Sequence, residues 1–214
     1  MDQTRIAVLV SGGGTNLQAL IDAQDRGELG GGKIVAVISS KEGAFALERA
    51  RIAGIPGYVV PRKAFASNKD MTVAMVEKLQ QLQIDLVVLA GCMVIFTEEL
   101  VQAFPNAIMN VHPALIPSFC GEGYYGLRVH EKALEYGVKL SGATVHFVTE
   151  ECDGGPIIAQ KSVAVLADDT PETLQKRIME EAEWKLLPQA VALFSQGRLQ
   201  VVGRTVIVKQ EEAK

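Results

Sequence analysis

Short, almost unbroken apolar runs constrain this chain more than any other feature. Arg5–Val10, Lys33–Ser39 and Ile84–Ala90 are dominated by Val, Ile, Leu and Ala with little polar alternation. A strand with one wet face alternates polar with apolar residues, whereas a strand covered on both faces does not. Gly57–Val60 and Ala107–Asn110 read as further strands. Between them, Asn16–Arg26, Ala44–Ala53, Lys69–Leu82 and Thr97–Ala103 carry helical spacing. Leu17, Leu20 and Ile21 make one stripe, and Met75, Leu79 and Leu82 another. Strand–helix alternation of this kind builds right-handed βαβ units. The expected fold is therefore α/β: an open, mostly parallel, twisted sheet with helices on both faces.

The rhythm changes after His112. Pro113–Leu127 is a long stretch rich in Pro, Gly and Tyr, and long loops inside compact domains are usually functional. A helix follows near Val129–Tyr136. Ser141–Thr149 and Pro156–Val165 read as strands joined by an Asp-Gly-Gly-Pro turn. Pro171–Phe194 reads as a long helix broken before Pro188, and Arg198–Val208 as a final strand or hairpin arm. With no repeat and no linker, residues 1–214 are expected to form a single domain. Residues 1–110 would be a phosphate-binding βα half, and 111–214 would supply the catalytic loop, later strands and C-terminal helix.

Composition narrows the function. Hydrophobic residues make up 48% of the chain and charged residues 21%, so disorder is not expected. A net charge of −4 opposes general nucleic-acid binding, which rests on neutralising phosphates. The three cysteines, Cys92, Cys120 and Cys152, show no C-x-x-C spacing. A zinc site or disulfide framework is not expected of them; they read as bystanders in a reducing cytoplasm. No run approaches the ~18 apolar residues of a membrane span. The opening Met-Asp-Gln-Thr-Arg-Ile shows no secretory pattern. Small-molecule substrates, with no metal, nucleic acid or membrane partner, are the expectation.

Ser11-Gly-Gly-Gly-Thr-Asn16 follows the first strand and opens the first helix. Unsatisfied N–H groups at such a helix start hold phosphate readily, and glycines let the anion come close. A dinucleotide fingerprint would need glycine where Leu17 stands, and the second strand ends in Ser39-Ser40-Lys41 with no acidic residue for a ribose. The plainer alternative is a tight βα turn with Ser or Thr as N-cap.

Asn110, His112 and Asp153 are the catalytic candidates. Asn110 ends a buried strand, and ligands of open α/β sheets bind beyond the carboxyl ends of strands. Its amide can donate to a developing oxyanion. His112 lies two residues on and points to the same side if the backbone stays extended. Asp153 could pair with His112 or move protons through a water. No nucleophilic Ser or Cys motif accompanies them, so reaction in a ternary complex is the economical expectation. Singly, a His before Pro can merely satisfy a carbonyl, and an Asp before Gly-Gly merely form a turn. His130, in a charged segment, reads as solvated. His146 reads as structural, with lining of the site left open. Trp184 reads as packed, and Tyr124 and Tyr125 as mobile loop or lid.

Several separated segments, in order, resemble the phosphoribosylglycinamide formyltransferases: Ser11–Gln18, Leu89–Met93, Asn110–Pro117, Gly142–Val148 and Asp153–Ile158. The resemblance runs from about Arg5 to Arg198. It implies a Rossmann-like formyltransferase fold and transfer of a formyl group from 10-formyltetrahydrofolate to the amine of glycinamide ribonucleotide. It implies that Asn110, His112 and Asp153 are catalytic, with protonated His112 and Asn110 on the oxyanion. Gly14, Thr15 and Asn16 would hold the substrate phosphate, and Glu183 the glycinamide. Lys69, Met93, Val94, Ile95, Phe96, Asn110 and Val148 would meet the folate. A monomer or homodimer is implied, with no metal. Val94 stands where many relatives carry Arg, and Trp184 where they often carry His. Formyltetrahydrofolate deformylases and methionyl-tRNA formyltransferases share the chemistry but normally add an N-terminal or C-terminal domain, for which little chain is expected here. A noncatalytic nucleotide-binding module would explain the glycine loop but not the trio, and a nicotinamide oxidoreductase is opposed by Leu17.

Overall fold

The computed structural model describes residues 3–210; Met1, Asp2 and residues 211–214 of the expected single domain, and with them the start of the N-terminal segment read for a signal, lie outside the described residues. Strands β1 (Arg5–Val10), β2 (Lys33–Ser39), β3 (Gly57–Val59), β4 (Leu86–Leu89) and β5 (Ile108–His112) pair in parallel in the order β3-β2-β1-β4-β5. Helices α1 (Thr15–Asp25), α2 (Phe45–Ile52), α3 (Asn68–Gln81) and α4 (Glu98–Ala103) connect them. The continuous apolar run of β1 follows from its place. Ile6, Val8 and Val10 pack with Leu17, Leu20 and Leu187 on one face of the sheet. Ala7 and Leu9 pack with Met75, Leu79 and Leu100 on the other. A fully buried Val, Leu or Ile contributes on the order of 1.5–3 kcal/mol, so both faces fix this strand.

The rest of the sheet is mixed. β6 (Leu140–Phe147) runs antiparallel to β5, and β7 (Ile157–Ala164) antiparallel to β6. A hairpin of β8 (Leu199–Val202) and β9 (Thr205–Val208) completes a nine-stranded sheet, β9 lying beside β7. The stretch at 198–208, expected as a final strand or a hairpin arm, is a hairpin of two strands that turn at Gly203, whose φ is 59°. β5 also runs two residues past its expected end at Asn110, because Val111 and His112 pair with Val145 and Thr144 of β6. Helices α5 (Leu127–Tyr136), α6 (Pro171–Ile178) and α7 (Trp184–Ser195) cover this half.

The long C-terminal helix is interrupted before Pro188, as the sequence suggests, though not at the proline itself. Pro188 sits inside α7, and the irregularity lies earlier, as a π-helical turn over Met179–Glu183. Pro188 offers no N–H to the Trp184 carbonyl and crowds it, so the wider turn N-terminal to it gives relief. The π turn directs Glu183 inward, leaving it 6% exposed. No described helix is long and apolar enough to cross a membrane.

Candidate active site

The strand order reverses between β1's two neighbours, β2 and β4, and the crevice beyond their carboxyl ends is where such sheets bind ligands. Ser11 follows β1, and its hydroxyl accepts a hydrogen bond from the Met93 N–H at 2.9 Å, joining the glycine loop to the segment after β4. Gly14 is the N-cap of α1, with φ 72° and no side-chain cap. The Ser or Thr cap considered above is thus not used. A Cβ on Gly14 would lie 2.6 Å from that of Ala46. The first N–H groups of α1, from Thr15 onward, face outward at a helix start without intrahelical partners. The Arg49 side chain donates to the Gly13 carbonyl at 2.8 Å and to Gln18 at 2.9 Å, adding positive charge beside the loop. Nothing in the sequence marks Arg49 among its exposed neighbours.

Asn16 is 7% exposed, and its amide donates to Glu183 Oε2 at 2.7 Å. Its own oxygen, Oδ1, is buried without a hydrogen-bond partner. Burial pushes the Glu183 carboxyl up to about 7, and the Asn16 bond offsets only part of that shift. The first helix and the π turn therefore meet at two points, Asn16 on Glu183 and Thr15 Oγ1 3.8 Å from Met179 Sδ.

The three catalytic candidates converge. Asn110 and His112 occupy alternate positions of β5 and share a face, as extended backbone requires. Asp153 Oδ2 lies 3.4 Å from His112 Nδ1, and Asn110 Nδ2 lies 3.4 Å from Asp153 Oδ1. His146, directly across from Asn110 in β6, joins them: its Nε2 is 3.3 Å from Asn110 Nδ2 and 3.5 Å from Asp153 Oδ1. His146 Nδ1 lies 2.9 Å from the Phe147 carbonyl and must donate to it, which fixes the ring with Nε2 toward Asn110 and Asp153. His146 is thus part of the site.

Asp153 reaches this position through a strained turn. Its φ is 53°, a conformation costing roughly 1–3 kcal/mol for a residue other than glycine. A Cβ on Gly155 would sit inside the Phe147 carbonyl, and one on Gly154 inside the Glu151 carboxylate. The Gly121 N–H donates to Asp153 Oδ2 at 2.9 Å. Burial raises the Asp153 carboxyl, but contacts with His146, His112 and Gly121 outweigh it, and the net shift is downward. For His112 burial prevails over the Asp153 charge, and its pKa falls. The resting site thus holds an ionised Asp153 beside a neutral His112. His112 Nε2 donates to the Phe119 carbonyl at 2.8 Å, so the 113–126 loop lies over the imidazole.

Met93, Val94 and Ile95 line a groove of about 890 Å³, together with Lys41, Arg62 and Asn68. Phe96 and Val148 each pack against the core that holds Ala7 and Leu9. Lys69 is not among the residues lining this groove; it pairs with Glu99 at 2.7 Å, while Asn68, one position earlier on α3, faces the groove and bonds Arg62.

His130 is the clearest departure from the sequence reading. It is fully buried rather than solvated, both ring nitrogens lack partners, and burial together with nearby His112 lowers its pKa to about 4. Val129, His130 and Ala133 form the inward face of α5; the flanking Arg128, Glu131 and Lys132 obscured it. Tyr124 stacks at a tilt on Phe119, 6.4 Å between centroids, whereas Tyr125 is exposed. Trp184 is half-buried, with its indole N–H unpartnered. Among the described residues no cluster of three or more His, Cys, Asp or Glu side chains is placed to hold a metal ion.

The sequence pattern of the formyl transferase family matches residues 4–191, which include the glycine loop, all three catalytic candidates and Glu183. The chain belongs to the formyltransferase family. It is 43% identical over 197 residues to a phosphoribosylglycinamide formyltransferase of Haemophilus influenzae, covering 92% of this chain and 90% of that one. The fold matches the crystal structure of glycinamide ribonucleotide transformylase 1 from Symbiobacterium toebii with a TM-score of 0.92 and 44% identity, over 98% of this formyltransferase and 96% of that chain. A formyltetrahydrofolate deformylase from Pseudomonas syringae pv. tomato is also similar, with a TM-score of 0.86 and 28% identity, but only 67% of that chain is covered.

Proposed function

We propose that this formyltransferase moves the formyl group of 10-formyltetrahydrofolate to the amine of glycinamide ribonucleotide, a step of purine biosynthesis. The observation that carries the reading is the convergence of Asn110, His112 and Asp153 from β5 and the 150–155 turn, in a chain 43% identical along most of its length to a protein named for that reaction. Asn110 Nδ2 is placed to donate to the oxyanion formed when the amine adds to the formyl carbon. His112 is neutral at rest, and the developing negative charge favours its protonation. To donate through Nε2 it exchanges the Phe119 carbonyl for the oxyanion, which requires the 113–126 loop to shift. Ionised Asp153 takes the amine's proton, directly or through a water, and returns it to the departing nitrogen. A positioned donor of this kind is worth about 3 kcal/mol.

In the same reading the helix start at Gly14, Thr15 and Asn16 receives the ribonucleotide phosphate through backbone N–H groups, since the Asn16 amide is occupied by Glu183. Glu183 Oε1 remains for the glycinamide portion. Met93, Val94, Ile95, Phe96 and Val148 accept the folate, with Asn110 at its reacting end. Lys69 is held by Glu99 and reaches a folate tail only by giving up that pair. Residues 1–110 supply the phosphate site and end in Asn110, and residues 111–214 supply the catalytic loop with His112, the turn with Asp153 and the C-terminal helix, within a cytoplasmic monomer or homodimer.

The test is a formyl-transfer assay with the donor, in the presence and absence of glycinamide ribonucleotide. Formylation of the amine, dependent on the ribonucleotide, is expected. Donor loss without it would favour a deformylase, and no turnover at all a binding module.

A further inference from the structure

The hydrogen bond from the Gly121 N–H to Asp153 Oδ2 joins two segments that each carry a cysteine beside the contact. Cys120 precedes Gly121, and Cys152 precedes Asp153. Both thiols are free, Cys152 is exposed and Cys120 is partly so. They lie close enough for each to fall within the field of Asp153, and for Cys120 to act on Cys152. Cys92, the remaining cysteine, lies apart beneath Ser11. We propose that Cys120 and Cys152 form a reversible disulfide that latches the 113–126 loop onto the turn carrying Asp153 and stops turnover.

The chemistry needs an oxidant, and a peroxide suffices. One thiol loses its proton, and the thiolate attacks a peroxide oxygen, giving a sulfenic acid and hydroxide, which takes up that proton to leave as water. The second thiol attacks that sulfur, forming the S–S bond and releasing a second water. Both cysteines are oxidised and the peroxide is reduced. A dithiol reductant reverses the bond by exchange.

Geometry decides which side moves. A disulfide holds its two Cα atoms about 4.4–6.8 Å apart. The 150–155 turn is held close to β6, since a Cβ at Gly155 would collide with the Phe147 carbonyl. On the other side Gly121, Gly123 and Gly126 all have positive φ and open space where a Cβ would be. The loop can therefore bring Cys120 to Cys152, giving up the bond from the Cys120 thiol to the Pro117 carbonyl at 3.3 Å. Burial and the Asp153 charge both raise the two thiols' pKa values, which lowers their thiolate fraction and slows their oxidation. Once closed, the latch ties the residues on either side of Cys120, which bond His112 and Asp153 in the reduced protein, to the 150–155 turn, so the loop cannot make the shift that frees His112 for substrate.

The effect on turnover rests on the formyl-transfer reading, whereas the crosslink does not. The full-length reduced protein is treated with hydrogen peroxide and digested without reduction, and the peptides are identified by mass spectrometry. A 120–152 crosslink is expected, absent from both Cys120→Ser and Cys152→Ser. Transfer should fall by about 100-fold, the scale of a reacting group misplaced by 1 Å, and return with dithiothreitol. In each serine variant the ratio of oxidised to reduced activity should stay near one. Peroxide that leaves only sulfinic acids, or a crosslink through Cys92, overturns the latch, as does a 120–152 crosslink with undiminished transfer. If the reduced protein never transfers formyl groups, the function reading fails while crosslinking, and protection of the 113–126 loop from protease, still decide the latch.

Discussion

The Ser11–Asn16 loop and the Asp153–Pro156 turn both depend on glycine, but glycine does different work in each. At Gly14 a positive φ and the close approach of Ala46 present backbone N–H groups at the start of α1. At Gly154 and Gly155 the absent side chains let the turn fold against Phe147 and Glu151, so that one carboxylate, Asp153, is aimed at two imidazoles and an amide. The first region offers a backbone surface suited to an anion that does not react. The second offers a side chain suited to moving a proton. Damage to the loop should weaken binding, and damage to the turn should slow chemistry.

The sharpest way to break that contrast is Asp153→Asn. It should lower kcat by at least about 100-fold while leaving ribonucleotide affinity nearly unchanged; a matched loss of affinity, measured by calorimetry, would show that the turn also serves binding. Next comes Gly155→Ala, whose Cβ has nowhere to go. It should cost roughly 1–3 kcal/mol in denaturant unfolding as an overpacking change, and an unchanged midpoint would mean the turn relaxes. Gly14→Ala meets the left-handed penalty of about 1–2 kcal/mol and the Ala46 contact. It should raise the ribonucleotide KM roughly tenfold, that being about 1.4 kcal/mol, with kcat little altered. A fall in kcat alone would erase the distinction between the two regions.

The smallest effect concerns the support of the Ser11–Asn16 loop. Glu183 is raised from 4.5 to about 7 in the fold. A carboxyl raised on folding contributes stability that is fully present below its unfolded pKa and lost as pH rises through the folded value. The melting temperature of the protein should therefore fall by a few degrees between pH 5 and 8 relative to Glu183→Gln, which lacks that titration. Parallel curves for the two proteins would remove Glu183 as the cause.

Much of this architecture is written in local pattern. β1, β2 and β4 are apolar on both faces, which only a covered parallel sheet explains. Asn110 and His112 share a face because strands have a period of two. What the sequence hides is set by distant pairing. His146 enters the site because β6 lies antiparallel to β5 in a register that puts it opposite Asn110. His130 looks solvated because its sequence neighbours are charged, while its helical neighbours, Val129 and Ala133, face inward. Lys69 and Asn68 exchange prospects through a single position at the start of α3, where 100° of rotation separates an ion pair on the surface from the wall of the groove. The π turn follows from how Pro188 is accommodated, which no periodicity reports.

The bond between Asn16 and Glu183 spans 167 positions. A ribosome therefore delivers the glycine loop long before it delivers the carboxylate that braces it. Until the π turn docks, the Asn16 amide has only water for a partner, and the anion site is present in sequence but unsupported in space. The segment proposed to bind phosphate is thus made early and braced late, and on that reading phosphate affinity reports that the chain has folded as far as Glu183.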